Sequence, residues 1–163
     1  MHMADALLTP AVAGVMYAAS AVVAGASIVE LHKEEKQDLT SAAKKLPTMA
    51  VMSALVFAGQ MINYTIPGTG SSGHQCGGLL LTSVLGPWAG FLSMIVIITN
   101  QCLFFADGGL LALGANVWNM AFYGCFVGYF LIYRPLMRSR CFARRGELAA
   151  NRLKITLASV LGC

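Results

Sequence analysis

The chain has 163 residues, 57% of them hydrophobic, with 11 Lys+Arg against 7 Asp+Glu and a formal net charge of +4. A soluble domain carries about a quarter charged residues, so this composition excludes an ordinary water-soluble globule. The positive surplus sits in two short hydrophilic islands, not across a broad surface, which argues against a nucleic-acid binder.

No Asp, Glu, Lys or Arg lies between Lys45 and Asp107, and none between Asp107 and Arg134. Each gap has room for spans of the ~20 apolar residues that cross a bilayer. The expected fold is all-α, a polytopic transmembrane helix bundle in one membrane domain. The five cysteines (Cys76, Cys102, Cys125, Cys141, Cys163) lack CxxC spacing and read as small apolar residues, with no disulfide framework. The first basic side chain is Lys33, so no cleaved leader is expected and Met1 is taken as the start of the mature chain.

Residues 1–9 form an N-terminal arm. Thr9 can cap the first helix and Pro10 fits its first turn, which predicts a span over 10–30. A basic island follows at 31–46, with Lys33, Lys36, Lys44 and Lys45, and a second at 134–154 holds six arginines and one lysine. Both are expected as cytoplasmic loops, which puts the arm on the outer side of the cell membrane. An even number of crossings must then separate the islands. Spans are predicted at 47–66 and 113–133, and the stretch between must supply two more. Gly86-Pro87 offers the break, giving helices over 75–86 and 88–106. The helical part of the first, from about Gly77 to Leu85, is too short for ~30 Å of hydrocarbon at 1.5 Å per residue. The loop Pro67-Gly68-Thr69-Gly70-Ser71-Ser72-Gly73-His74 should therefore dip inward, where irregular backbone must be buried in protein or line a cavity. Residues 155–163 are a nine-residue apolar run, about half a span, expected as the start of a truncated helix or one completed by another polypeptide.

His2 is the most informative residue. A histidine directly after the terminal residue offers a metal the terminal amine of Met1, the deprotonated amide of residue 2 and the imidazole, in one plane with the fourth corner open. Planar nitrogen donors suit Ni(II) or Cu(II) better than zinc. His74, on the inward loop and the same side of the membrane, is the natural fourth ligand. Other readings stand beside this one: His2 as a solvated terminal residue, and His74 as an inert, hydrogen-bonded loop residue. His32 lies in the charged island and reads as solvated. Asp5 can bond backbone N–H groups of the arm or orient His2, and Asp107-Gly108-Gly109 reads as turn chemistry. Gln60 and Asn63 lie three apart on one predicted helix face, as do Asn116 and Asn119; such amides usually bond between helices, and the first pair can also support the site. Ala50, Ala54 and Ala58 recur every four residues and permit close helix approach, within the bundle or to another subunit. Ser71, Ser72 and His74 raise an intramembrane serine hydrolase, although residues this close on one loop cannot readily face each other across a substrate. A purely structural membrane subunit is the remaining alternative.

The start Met1-His2-Met3-Ala4-Asp5-Ala6-Leu7-Leu8, the loop ending Ser71-Ser72-Gly73-His74 with Gly77-Gly78, the Leu85-Gly86-Pro87-Trp88-Ala89 break and the run from Phe105 to Met120 together resemble the CbiM/NikM family. These are substrate-binding S components of energy-coupling factor (ECF) transporters for cobalt and nickel, and the likeness covers Met1 to about Tyr133. The resemblance implies that Met1, His2 and His74 bind the transported metal, with no cofactor and no enzymatic activity of the chain itself. It implies as partners a membrane-embedded T component packed on Ala50, Ala54 and Ala58, two cytoplasmic ATPases, a small auxiliary membrane subunit and the lipid bilayer. The chain departs from the family's Pro-Asp-Gly-Phe-Leu at Ala4-Asp5-Ala6-Leu7-Leu8, keeping His2 and Asp5, and members continue with further helices. The Gly-Thr ahead of Ser-Ser-Gly-His resembles nickel-type members, so Ni2+ is favoured over Co2+.

Overall fold

The computed structural model describes residues 2–37, 39–68 and 71–138. It is a bundle of helices with one small hairpin, in keeping with the all-α class read from the charge gaps. Helix α1 spans Pro10–Gln37 and α2 Leu39–Gln60; strands β1 (Tyr64–Ile66) and β2 (Ser71–Gly73) follow, then α3 (Gly78–Leu85) and α4 (Pro87–Phe105). The last helical column begins as α5 (Leu113–Asn116), continues over Val117–Tyr133 with the wider i→i+5 hydrogen bonding of a π-helix, and ends as α6 (Arg134–Arg138).

Three of these helices, Pro10–Gln37, Pro87–Phe105 and Leu113–Met137, are long and apolar enough to cross a membrane. Helix α4 is the hub, packing against α1, α2, α3 and the π-helical segment. Its Phe91, Met94, Ile97 and Ile98 meet Leu81 and Leu85 of α3 and Met120, Ala121 and Cys125 of the π-helical segment in one core. Trp88, Phe91 and Phe126 close that core at one end, with ring centroids 5.1 Å apart in both pairs made with Phe126. Helix α1 is peripheral and leaves Val12, Val15, Val22, Ile28 and Val29 exposed. An apolar outer face of this kind suits hydrocarbon better than water.

Several expected boundaries move. Helix α1 runs seven residues past Glu30, and α2 begins at Leu39, so most of 31–46 is helical and not loop. The island is rich in Lys, Glu, Ala and Leu, all good helix formers. Lys33 Nζ meets Glu30 Oε1 at 2.6 Å, and Lys45 Nζ crosses to Glu34 Oε2 at 2.7 Å, tying α2 to α1. Pro47 lies inside α2 and does not open it; Thr48 Oγ1 bonds the Lys44 carbonyl, in the turn where the proline has no N–H to give. At its other end α2 stops at Gln60 and not at 66. The β-branched and aromatic run Tyr64-Thr65-Ile66 pairs instead with Gly73-Ser72-Ser71, so part of the expected irregular loop is a hairpin.

The break at Gly86-Pro87 falls where it was expected. Gly86 sits at φ +86°, open to glycine, and Pro87 starts α4 at a position that needs no N–H. Helix α3 has only eight residues. The second island is helical through Arg138; its remainder, and residues 155–163, lie outside the described residues, as does Met1.

Candidate metal centre

His2 is only 1% exposed, although it lies one residue from the start of the chain. The arm is held down by contacts to residues more than a hundred positions away. Met3 N–H donates to Asn116 Oδ1 at 2.7 Å and Asn116 Nδ2 donates to the Met3 carbonyl at 3.3 Å, so one side-chain amide pairs with both backbone groups of Met3. Gly109 N–H also reaches that carbonyl, at 3.2 Å. Asp5 neither bonds within the arm through its carboxylate nor orients His2: its Oδ1 accepts the Ala112 N–H at 2.9 Å and pins the arm to the 107–112 turn. The turn leaves no room for side chains there. A Cβ at Gly108, where φ is +87°, would lie 3.0 Å from His2 Cβ, and one at Gly109 would fall 1.7 Å from Asp5 Oδ1.

His74 follows directly on β2. Its Nε2 faces His2 Nδ1 at 3.1 Å and its Nδ1 faces the Gln75 carbonyl at 2.9 Å. A carbonyl only accepts, so His74 Nδ1 bears the proton and Nε2 presents a lone pair toward His2. Asp107 completes the group. Its Oδ1 is 3.4 Å from His2 Nδ1, its Oδ2 accepts from Asn63 Nδ2 at 2.7 Å, and ligand atoms of His2, His74 and Asp107 all lie within 4.8 Å of one another. Burial pushes the His2 imidazole down to about 4, against the pull of Asp107, and burial also lowers His74. Both rings are therefore neutral near pH 7, the form that ligates metals.

Gln60 and Gln101 are fully buried behind this cluster. Gln60 Nε2 donates to the Cys76 carbonyl at 3.1 Å, and Gln101 Nε2 donates to Gln60 Oε1 at 3.0 Å.

The structure thus brings His2 and His74 together and adds Asp107, which sequence reasoning treated as a turn residue. The missed signal was its isolation: Asp107 is the one charge between Lys45 and Arg134, and an ionisable group alone in an apolar stretch marks function by default. Gln101 was not singled out, although an amide inside an apolar helix needs a partner. Asn63 lies beyond the end of α2 and serves Asp107. Asn116 bonds the arm and not another helix, whereas Asn119 is exposed. Ala50, Ala54 and Ala58 are all exposed. Both ring nitrogens of His74 are directed at Gln75 and His2, which gives the hydrolase reading no support; the side chains of Ser71 and Ser72 lie outside what the structure describes.

The sequence matches the CbiM family model, described as the cobalt uptake substrate-specific transmembrane region, over residues 2–163. A putative fused nickel transport protein NikMN of Archaeoglobus fulgidus is 45% identical over 160 residues, covering 98% of this chain and 50% of that protein. The cobalt transport protein CbiM of Sorangium cellulosum is 38% identical over 87 residues, 53% of this chain and 39% of that protein. A crystal structure of a truncated transition metal transporter superposes with a TM-score of 0.72 at 36% identity, covering 99% of this chain and 72% of that one. The chain spans about half the length of the curated relatives it matches. With three apolar helices of spanning length, the same fold as a transition metal transporter and a match to the family model over residues 2–163, this membrane protein belongs to the CbiM family.

Proposed function

We propose that the chain is the substrate-capturing subunit of an ECF-type transporter, taking Ni2+, or less favourably Co2+, from the outer side of the cell membrane for ATP-driven uptake. The Met1 amine, the His2 amide and Nδ1, and His74 Nε2 are the four donors. The observation that carries this reading is the pair of imidazole nitrogens 3.1 Å apart. Nitrogens bound at about 2.0–2.1 Å and at right angles around one metal are about 2.9 Å apart, so the two rings need only small adjustment to share an ion. The ring size of the chelate selects Nδ1 of His2, which is the nitrogen that faces His74. Asp107 supplies negative charge beside the ion and compensates part of its desolvation.

The outer location of the arm rests on the basic residues at the opposite ends of α1 and α2. ATP hydrolysis belongs to cytoplasmic ATPases, and a membrane-embedded T component docks on the outward-facing Ala50, Ala54 and Ala58; a small auxiliary membrane subunit completes the expected assembly. Isothermal titration of the detergent-purified chain with Ni2+ and with Co2+ tests the site. Wild type should bind Ni2+ more tightly. His2→Ala, and a variant with one residue placed before Met1, should both lose binding. Unchanged affinity in the extended variant would refute the terminal chelate.

A further inference from the structure

His74 has its tautomer set by a backbone carbonyl, but His2 has two choices. With the proton on Nδ1, His2 would donate to His74 Nε2 and the pair would close on itself. With the proton on Nε2, two bare lone pairs meet 3.1 Å apart, an arrangement that repels itself and attracts a cation. In front of the ring, His74 Nε2 and Asp107 Oδ1, the latter 3.4 Å away, would both accept a proton on Nδ1; the groups behind the ring pull the other way. The chain of amides there has only one self-consistent polarity. The Cys76 carbonyl accepts and never donates, so the nitrogen of Gln60 must face it. The oxygen of Gln60 is then turned to Gln101, which must answer with its own nitrogen. That leaves Gln101 Oε1 as the free end of the chain. Gln101 Oε1 and His2 Nε2 are both fully buried and neither has a hydrogen-bond partner. One is an acceptor, the other a ring nitrogen able to donate, and Gln101 lies close enough to act on the His2 imidazole. A buried polar atom left unpaired is costly, so each is the other's remedy.

We propose that Gln101 is a positioning residue that accepts the His2 Nε2–H, and that the relay from the Cys76 carbonyl through Gln60 and Gln101 holds His2 Nδ1 bare opposite the bare His74 Nε2. The relay joins the arm to the segment just after His74 through α2 and α4, so both rings are set by one network. Metal-ligating histidines generally donate their second ring N–H to an acceptor of this kind, which fixes ring orientation and raises ligand basicity. This inference rests on the metal reading above, and the experiment separates the two.

The test is the His2 tautomer in the metal-free, detergent-solubilised full chain, read from long-range ¹H–¹⁵N couplings of the labelled imidazole, beside Ni2+ titration of the same samples. Wild type should carry its His2 proton on Nε2. Gln101→Leu should shift it to Nδ1 and weaken Ni2+ binding about 10–100-fold, whereas Gln101→Glu, which keeps the acceptor for His2 and gives up only the N–H donated to Gln60 Oε1, should retain the wild-type tautomer. A wild-type proton on Nδ1, or a Gln101→Leu protein with an unchanged tautomer, overturns the proposal. If Gln101→Leu does not fold, the wild-type and Gln101→Glu spectra still decide it. Nε2 protonation lost in Gln101→Leu, with no Ni2+ bound by wild type, upholds the relay and removes the metal reading instead.

Discussion

The two histidines of the site are held in opposite ways. His2 belongs to an arm of a few residues whose anchors, Asn116, Gly109 and Ala112, stand more than a hundred positions away. His74 is held locally, by the hairpin that ends one residue before it and by the carbonyl of the residue after it. An arm with so few residues buries little by itself, and ordering it costs about 1–2 kcal/mol of backbone entropy per residue. Its order is therefore borrowed from the 107–116 segment. The hairpin is built from its own pairing, and its Tyr64 ring lies exposed across Gly73. His2 therefore depends on the tertiary fold more than His74 does.

Substitutions far from either histidine in sequence can break this contrast. The largest effect is expected for Gly109→Ala, whose Cβ would fall 1.7 Å from Asp5 Oδ1 and 2.6 Å from the Asp5 nitrogen. The arm must lift off, costing about 1–3 kcal/mol as overpacking does, and Ni2+ affinity should collapse with it. A melting curve and a Ni2+ titration of the variant check this; wild-type affinity would mean the arm is not held by the turn. Asn116→Leu should come next. It leaves the part-buried Met3 N–H without a partner, at less than the ~1–3 kcal/mol of a fully buried donor, and should free the arm with the bundle otherwise intact. Faster hydrogen exchange at Met3 than at α4 amides would register that release. The smallest effect is expected at Gly73→Ala, although it adjoins His74. The new Cβ meets the far end of the exposed Tyr64 side chain, which can swing away, so Ni2+ affinity should stay close to wild type. A large loss there would show that the hairpin is as tightly specified as the arm.

Much of this was readable beforehand. The gaps in charge located the apolar helices, and Gly86-Pro87 located the break between α3 and α4, because a missing N–H and a positive φ are properties of single residues. His2 and His74 stood out because a terminal chelate needs one residue type at one position. The hairpin was missed: a loop forced inward by helix length gives no account of how its backbone groups are satisfied, and Tyr64-Thr65-Ile66 also fits the end of a helix by hydropathy alone. The helical course of 31–46 was missed because charge was read as loop, although its residues favour helix. Asp107 was discounted because the two glycines after it make a good turn, and a turn residue can also face a site.

Composition and the gaps in charge marked this chain as a membrane helix bundle, its motifs carried the resemblance to the CbiM family, and His2 and His74 stood out as residue types at particular positions. The tertiary structure alone brings Asp107 to His2 and His74, bonds Asp5 to the Ala112 N–H and stacks Gln60 and Gln101 behind the imidazole. The physical reason is the directionality of hydrogen bonds. A donor must find its acceptor within about 3 Å, and no periodicity in the chain records which distant residue will stand there.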